Sequence, residues 1–356
     1  MNLLDRYIAR SIAWSSLFVT LILLTLFVFI DFIGELRHVG KGDYGALQAL
    51  FYVVLTLPEL LYQLFPVLTL LGTLVGLALL ANHGELIAIR AAGVSLWRIL
   101  GSVSMVGIVF VVLSFLLGEW LAPKSEVFAE QYKTELQSGQ RSITKTRSGY
   151  WLRDGNSFIH VEGEGEDGRP GGVRVFTIDP KTLELTQSLR ATTMLPLENG
   201  WELSDVDIIE LSMSGINKRY SRIVPWNSLP EPALLEAAST RPEELSALQL
   251  WRYVGYLKTS GLKALAYEQV LFSKLAMPLT VAVMVLLAFP FVFGSLRTAG
   301  IGHYVFIGAC IGIGFHLLNE LFRYSGLVYG FPPLFSALVP TLLFLTFAVL
   351  ALRRIF

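Results

Sequence analysis

The sequence predicts an α-helical membrane protein with six transmembrane helices and an inserted all-β, jelly-roll-like domain. Three observations predict it. The 356 residues are 53% hydrophobic and only 16% charged, where a soluble chain carries roughly a quarter charged residues. The apolar residues gather into runs near the ~20 residues that cross a bilayer. Between the third run and the fourth lies a polar stretch, 118–269, broken at short intervals by turn residues.

Residues 11–30 carry no charge between Arg10 and Asp31 and form the first span. The run is too long for a signal peptide and lacks a small-residue cleavage site, so it is expected to be retained. The next run, 45–82, is interrupted only by Glu59, Pro58 and Pro66. It exceeds one straight span, which predicts a tilted or kinked helix. Residues 97–117 make the third span. Residues 270–293, 301–322 and 333–352 make the fourth to sixth, with Lys274 near the start of the fourth. The expected division is therefore 1–117, 118–269 and 270–356.

An even number of spans puts both termini on one side. With the N-terminus inside, the inner segments hold Arg6, Arg10, Arg90, Arg98, Arg297, Arg353 and Arg354, against Arg37, Lys41 and Arg323 outside. Basic residues favour the cytoplasmic side, counted over short loops. Counting Lys124 and Lys133 would narrow the margin. Both termini are expected in the cytoplasm and the long insert outside, in the periplasm of a bacterium.

The insert changes texture at Leu121-Ala122-Pro123. After a polar, helix-prone stretch at 124–137, turn residues recur about every ten positions: Ser148-Gly149, Asp154-Gly155-Asn156, 163–172, Asp179-Pro180, Glu198-Asn199-Gly200 and Ser214-Gly215. Segments rich in β-branched and aromatic residues, such as 173–178 and 205–208, run between them. This spacing predicts an antiparallel sandwich or jelly roll. The sole cysteine, Cys310, lies in an apolar run, so no intrachain disulfide braces the β domain. Residues 225–242 break the β pattern. Leu245, Leu248, Trp251, Val254 and Leu257 then recur every three residues, predicting an amphipathic helix that returns the chain to the membrane.

Several chemistries are excluded. The net charge is zero, with 28 basic and 28 acidic residues, so no global field favours nucleic acid. There is no G-x-x-x-x-G-K-[ST] phosphate loop, Gly40-Lys41-Gly42 being only a fragment, and no H-E-x-x-H or G-x-S-x-G motif. Histidines 38, 83, 160, 303 and 316 are scattered and read as loop or packing residues. No catalytic, metal-binding or cofactor-binding residue is assigned.

The segment at about 83–95 is more suggestive. It is short and helix-prone, with Glu85 near its start and a helix-ending glycine at Gly93. It reads either as a helix that docks into a groove on a cytoplasmic partner or as an ordinary connection. In the fifth span, Gly302, Gly308, Gly312 and Gly314 permit close helix approach, while the first span is bulky, with Phe18, Leu21, Leu24, Phe27 and Phe29. That contrast suits either a lateral gate or plain packing.

Five segments together carry a resemblance. They are Leu4-Asp5-Arg6-Tyr7, the run from Gly84-Glu85-Leu86 to Ala92-Gly93, Gly118-Glu119-Trp120-Leu121-Ala122-Pro123, the run 253–261, and Val328-Tyr329-Gly330-Phe331-Pro332-Pro333. In this order around a β insert they resemble the lipopolysaccharide-export permeases of the LptF/LptG family, and the first and fourth lean to the LptG branch. The resemblance implies a non-catalytic permease subunit in the bacterial inner membrane. It implies an LptF-type permease, an LptB-type ATPase dimer that uses the ATP, and an LptC-type single-helix protein as partners in an LptB2FG-type complex. The substrate implied is lipopolysaccharide, extracted from the outer leaflet toward a periplasmic bridge and the outer membrane of a Gram-negative cell.

The resemblance also makes the 83–95 segment a coupling helix, with Glu85, Leu86, Ile89, Arg90 and Gly93 as candidate contacts to the ATPase. An anionic glycolipid would meet basic residues at the outer membrane face, so Arg37, His38, Lys41, Lys124 and Lys133, with Phe29, are the lipid candidates. Each also reads as an ordinary interfacial anchor. One departure stands out. Family members can carry lysines where this chain has Asp31 and Glu59, and an acid in an apolar run is costly if it faces lipid. Both are expected to face a cavity, and Glu59 otherwise to pair with a base. The alternative is a subunit of a lipoprotein-releasing or mechanotransmission ABC system, but those usually place the domain after the first of four helices. A secondary transporter would call for internal repeats and broken helices, which the sequence does not offer.

Overall fold

The computed structural model describes residues 3–138, 150–154, 156–162, 172–179, 182, 184–197, 200–212, 215–226, 237, 240–294 and 300–355. Six of its helices are long and apolar enough to cross a membrane. In order, α1 is Leu3–Glu35, α2 Ala46–Asn82, α3 the short Glu85–Ala91, and α4 Leu96–Leu116. A π-helical turn, Leu117–Leu121, leads into α5, Ala122–Ser138. After the β strands come α6, Ala247–Thr259, α7, Leu265–Gly294, α8, Ile301–Tyr329, and α9, Pro333–Arg353. The expected spans are all present and mostly longer than the apolar runs. The 33 residues of α1 reach ~50 Å at 1.5 Å each, well beyond a ~30 Å hydrocarbon core.

The chain forms two compact units: one comprises residues up to Arg37, Val53–Glu126 and Glu268 onward, the other His38–Tyr52 and Val127–Tyr267. The first unit is organised around α2. Its glycines Gly72 and Gly76 accept α1 at Ser16 and Ile12, and a Cβ at Gly76 would stand 2.7 Å from the Ile12 Cα. Ser11 Oγ donates to the Gly76 carbonyl at 3.2 Å. Gly308 and Gly312 of α8 meet Leu71, Leu74 and Val67 of α2, whereas Gly302 and Gly314 face open space. Pro58 and Pro66 lie inside the continuous α2. Ile8, Ile12, Leu74, Leu86, Ile99, Val103, Met284 and Phe289 belong to one buried apolar cluster.

Beyond Ser16, α1 has little cover within this chain: Phe18, Leu21 and Phe29 are each over 60% exposed. On α7 and α9, by contrast, Thr280 and Thr341 share a buried 2.8 Å hydrogen bond, satisfying two hydroxyls that would otherwise be costly in an apolar interior.

In the second unit, strands β1 Tyr150–Asp154, β2 Ser157–Val161, β3 Val173–Ile178, β4 Leu185–Leu197, β5 Gly200–Ser212 and β6 Gly215–Trp226 form one antiparallel sheet in sequence order. The all-β insert is thus as the sequence predicts, and its described strands are joined as a meander. One face carries the core: Ile159, Val161, Val173, Val175, Leu189, Ala191, Trp201, Leu203 and Val206, with Tyr256 of α6 packed against it. The inward positions of β5 step by two from Trp201 to Leu203, then by three to Val206. Asp205 takes up the extra residue with φ 54. The pairings on both sides keep one register across this step, so β4, β5 and β6 crease together.

The segment at 38–52 is fastened to α5. Asp43 N–H donates to the Leu136 carbonyl at 2.9 Å. Gly42, at φ 56, lies so close that a Cβ would stand 2.5 Å from the same oxygen. The Tyr52 hydroxyl donates to Glu130 at 2.8 Å, Arg241 approaches the same carboxylate oxygen at 3.4 Å, and Phe51 meets Tyr132 edge to face at 5.1 Å.

Helix α6 corrects the sequence-based face. A capping box at Ser246 and Gln249 starts it, and its buried residues are Leu250, Tyr253, Val254 and Leu257. Leu248 and Trp251 are exposed. A strict three-residue spacing drifts off one face of a 3.6-residue helix, which is why the spacing misplaced them.

Candidate functional site

The site begins with two glycines. Gly84, at φ 76, turns the chain out of α2, and Gly93, at φ 86, ends the seven-residue α3. Both conformations belong to the left-handed region that glycine enters freely. Glu85 occupies the first turn of α3 and Arg90 the last, the arrangement the helix dipole favours.

Within α3 the candidate residues separate by role. Leu86 is fully buried in the same cluster as Ile8 and Ile99, with Ile89 packed against its margin. Both hold the helix down. Arg90 is exposed beside the exposed Ile87, and Gly93 is exposed at the end. Glu85 is half-buried. It accepts a hydrogen bond from the Tyr7 hydroxyl of α1, and its Oε2 is buried with no hydrogen-bond partner. Leu3, Leu4, Tyr7, Glu85, Ala88 and Ile89 line an open recess here.

A second tie braces the same end of the bundle. Ser102 of α4 donates to Asp5 at 2.7 Å, and the Ser95 hydroxyl caps α4 by accepting from Arg98 N–H at 3.3 Å. Sequence reasoning missed Tyr7 and Asp5 as members of this site. Their signal was the Leu4-Asp5-Arg6-Tyr7 run, legible as a motif but not as a contact.

The lipid candidates are less concentrated. Phe29, Asp31 and Arg37 are exposed on or just after α1, and Lys124 is exposed on α5. His38 and Lys41 lie in the segment fastened to α5, in the same unit as Lys133. The Lys133 ammonium sits 4.4 Å from the centre of the Tyr52 ring, a cation–π contact. Glu59 is half-buried and accepts from Gln63 at 3.0 Å. A neighbouring amide, one helical turn on, is thus its observed partner. Nearby, Gly118 of the π-helical turn lies against the Tyr62 ring, and Lys274 faces that ring at 5.8 Å.

Among the described residues, six long apolar helices with a β insert after the third and a short helix packed on the bundle define a multi-pass membrane protein. Over residues 6–354 the chain matches the family described as lipopolysaccharide export system permease LptF/LptG, and it belongs to that family, whose members lie in the inner membrane. It is 34% identical to the lipopolysaccharide export system permease protein LptG of Escherichia coli K12 over 355 residues, covering 99% of this chain and 98% of that protein. It is also 34% identical to the LptG protein of Haemophilus influenzae over 348 residues, covering 97% and 96%.

Proposed function

We propose that this chain is the permease subunit of an ATP-driven transporter that extracts lipopolysaccharide from the outer leaflet of the inner membrane and passes it toward a periplasmic bridge. Its partners in this reading are an LptF-type permease, an LptB-type ATPase dimer and an LptC-type single-helix protein. It contributes no ATPase chemistry of its own. The observation that carries the reading is family membership along nearly the whole chain, joined to the anchored α3 with its partly unsatisfied carboxylate.

Both termini lie in the cytoplasm and the β unit in the periplasm, a placement supported by the excess of arginines on the α3 side. Helix α3 then receives the ATPase through Glu85, Ile87 and Arg90, with Leu86 and Ile89 transmitting its movement into the bundle. The uncovered bulk of α1, including Phe29, borders the lipid cavity with Arg37 and Lys41 near its outer rim. Lys133, already held over Tyr52, is better suited to bracing than to lipid capture.

Photocrosslinkers placed at Phe29, Arg37 and Lys41 test the cavity. Adducts with lipopolysaccharide are expected, and their yield should change when ATP is added. Absence of any lipid adduct at all three positions would remove α1 from the substrate path.

A further inference from the structure

Helix α6 has two solvent-side features that its packing on the β sheet leaves unexplained. Trp251 is 68% exposed and Leu248 55%, although large exposed apolar groups on an aqueous domain usually mark a contact surface. On the same exposed side stand Arg252 and Gly255, and from Ala247 to Lys263 the chain holds Arg252, Lys258 and Lys263 but no acid. The buried side is already spoken for by Leu250, Tyr253, Val254 and Leu257.

Only a short connection joins the end of α6 at Thr259 to the start of α7 at Leu265. Leu262 N–H closes on the Leu257 carbonyl at 2.8 Å, with Gly261 at φ 67, so the chain reverses tightly after α6. The Tyr253 ring then meets Tyr267 edge to face at 4.7 Å. Tyr267 lies in the first turn of α7, a helix apolar and long enough to span the bilayer. Helix α6 is therefore tied, within one unit, to the first turn of α7.

We propose that α6 is an interfacial helix that lies on the membrane where α7 enters it, with Trp251 and Leu248 set into the headgroup boundary and Arg252 and Lys263 facing anionic phospholipid. Tryptophan settles at the boundary because its ring is apolar and its N–H polar. Basic residues with Trp and Leu on one helix side are the composition of helices that lie in the interface. Each cation within a Debye length of an anionic surface favours contact, and the lack of acid leaves that attraction unopposed along the segment. The inference does not depend on which face of the membrane carries the β unit.

Site-directed spin labelling of the full-length protein in nanodiscs tests this. In a Cys310→Ser background, Trp251→Cys and, separately, Leu248→Cys carry the label, with Arg222→Cys on β6 as the aqueous control. Nanodiscs contain phosphatidylcholine alone or mixed with phosphatidylglycerol, and no lipopolysaccharide. The labels at 251 and 248 should favour lipid-soluble oxygen over a water-soluble nickel chelate severalfold more than the control. Phosphatidylglycerol should raise that preference, and Arg252→Gln with Lys263→Gln should abolish the rise. Nickel access equal to the control, or shielding from both reagents by a protein neighbour, would overturn the membrane contact. A preference indifferent to phosphatidylglycerol, or one that needs added lipopolysaccharide, would overturn the assignment to anionic phospholipid.

Discussion

The Tyr7 hydroxyl of α1 donates to the Glu85 carboxylate at the start of α3, tying the first membrane helix to the element proposed to receive the ATPase. A hydrogen bond to a charged group orients it as well as holding it, so Tyr7 is a positioning residue for Glu85. Tyr7→Phe keeps the ring in the recess and removes only the bond. ATP hydrolysis by the assembled transporter should become severalfold less responsive to lipopolysaccharide, with assembly unchanged. Glu85→Lys should lower both stimulation and recovery of the ATPase, while membrane insertion stays intact. Normal stimulation in Tyr7→Phe would reduce the contact to packing.

Glycines in the bundle are predicted to differ by what faces them. At Gly314, open to 4 Å, alanine should be neutral or gain up to ~1 kcal/mol of helix propensity. At Gly76 the obstacle is the Ile12 backbone, which cannot rotate away, and overpacking typically costs about 1–3 kcal/mol. At Gly308 the obstacles are the tips of Leu71 and Leu74, which can shift. Melting temperatures in detergent should therefore fall in the order Gly314→Ala, Gly308→Ala, Gly76→Ala, the last being lowest.

Much of this fold was legible because its signals are local. Apolar runs marked the six spans, and turn residues marked a β insert between them. Gly93 announced the end of a short helix through a backbone demand that sequence can express. What stayed hidden was tertiary choice. Nothing in 247–259 tells whether Trp251 or Leu250 is covered, since both suit an apolar side; the fold buries Leu250 and leaves Trp251 exposed. Gly72 and Gly76 sit in a run apolar throughout, so their partner, α1, could not be read from it. Tyr7 and Glu85 are 78 residues apart (85 − 7), and no periodicity links them.

Asp205 is predicted to be the hinge residue of the sheet crease. Its φ of 54 suits Asp, Asn or Gly, whereas a β-branched residue there costs roughly 1–2 kcal/mol. Tyr220 Oη donates to its carboxylate at 2.7 Å in an exposed contact across the bend, which adds little to stability. Asp205→Gly should leave the thermal unfolding of the protein nearly unchanged, and Asp205→Val should lower it. Equal tolerance of both would show that the crease is made elsewhere.

Glu244 gives a pH dependence with a definite sign. Its side chain is only 13% exposed and is paired with Arg241. Burial raises its carboxyl above the ordinary value of 4.5, outweighing the nearby guanidinium, which lowers it. Folding therefore favours the protonated form. The stabilisation from this group is complete below the ordinary carboxyl range and is lost as pH rises through the raised value. Glu244→Gln, isosteric and never charged, has no such dependence. The difference in melting temperature, wild type minus Glu244→Gln, should become more positive as pH falls from neutral toward 4.5. A difference that instead falls over that interval would mean that the Arg241 pairing dominates the carboxylate and that burial does not control it.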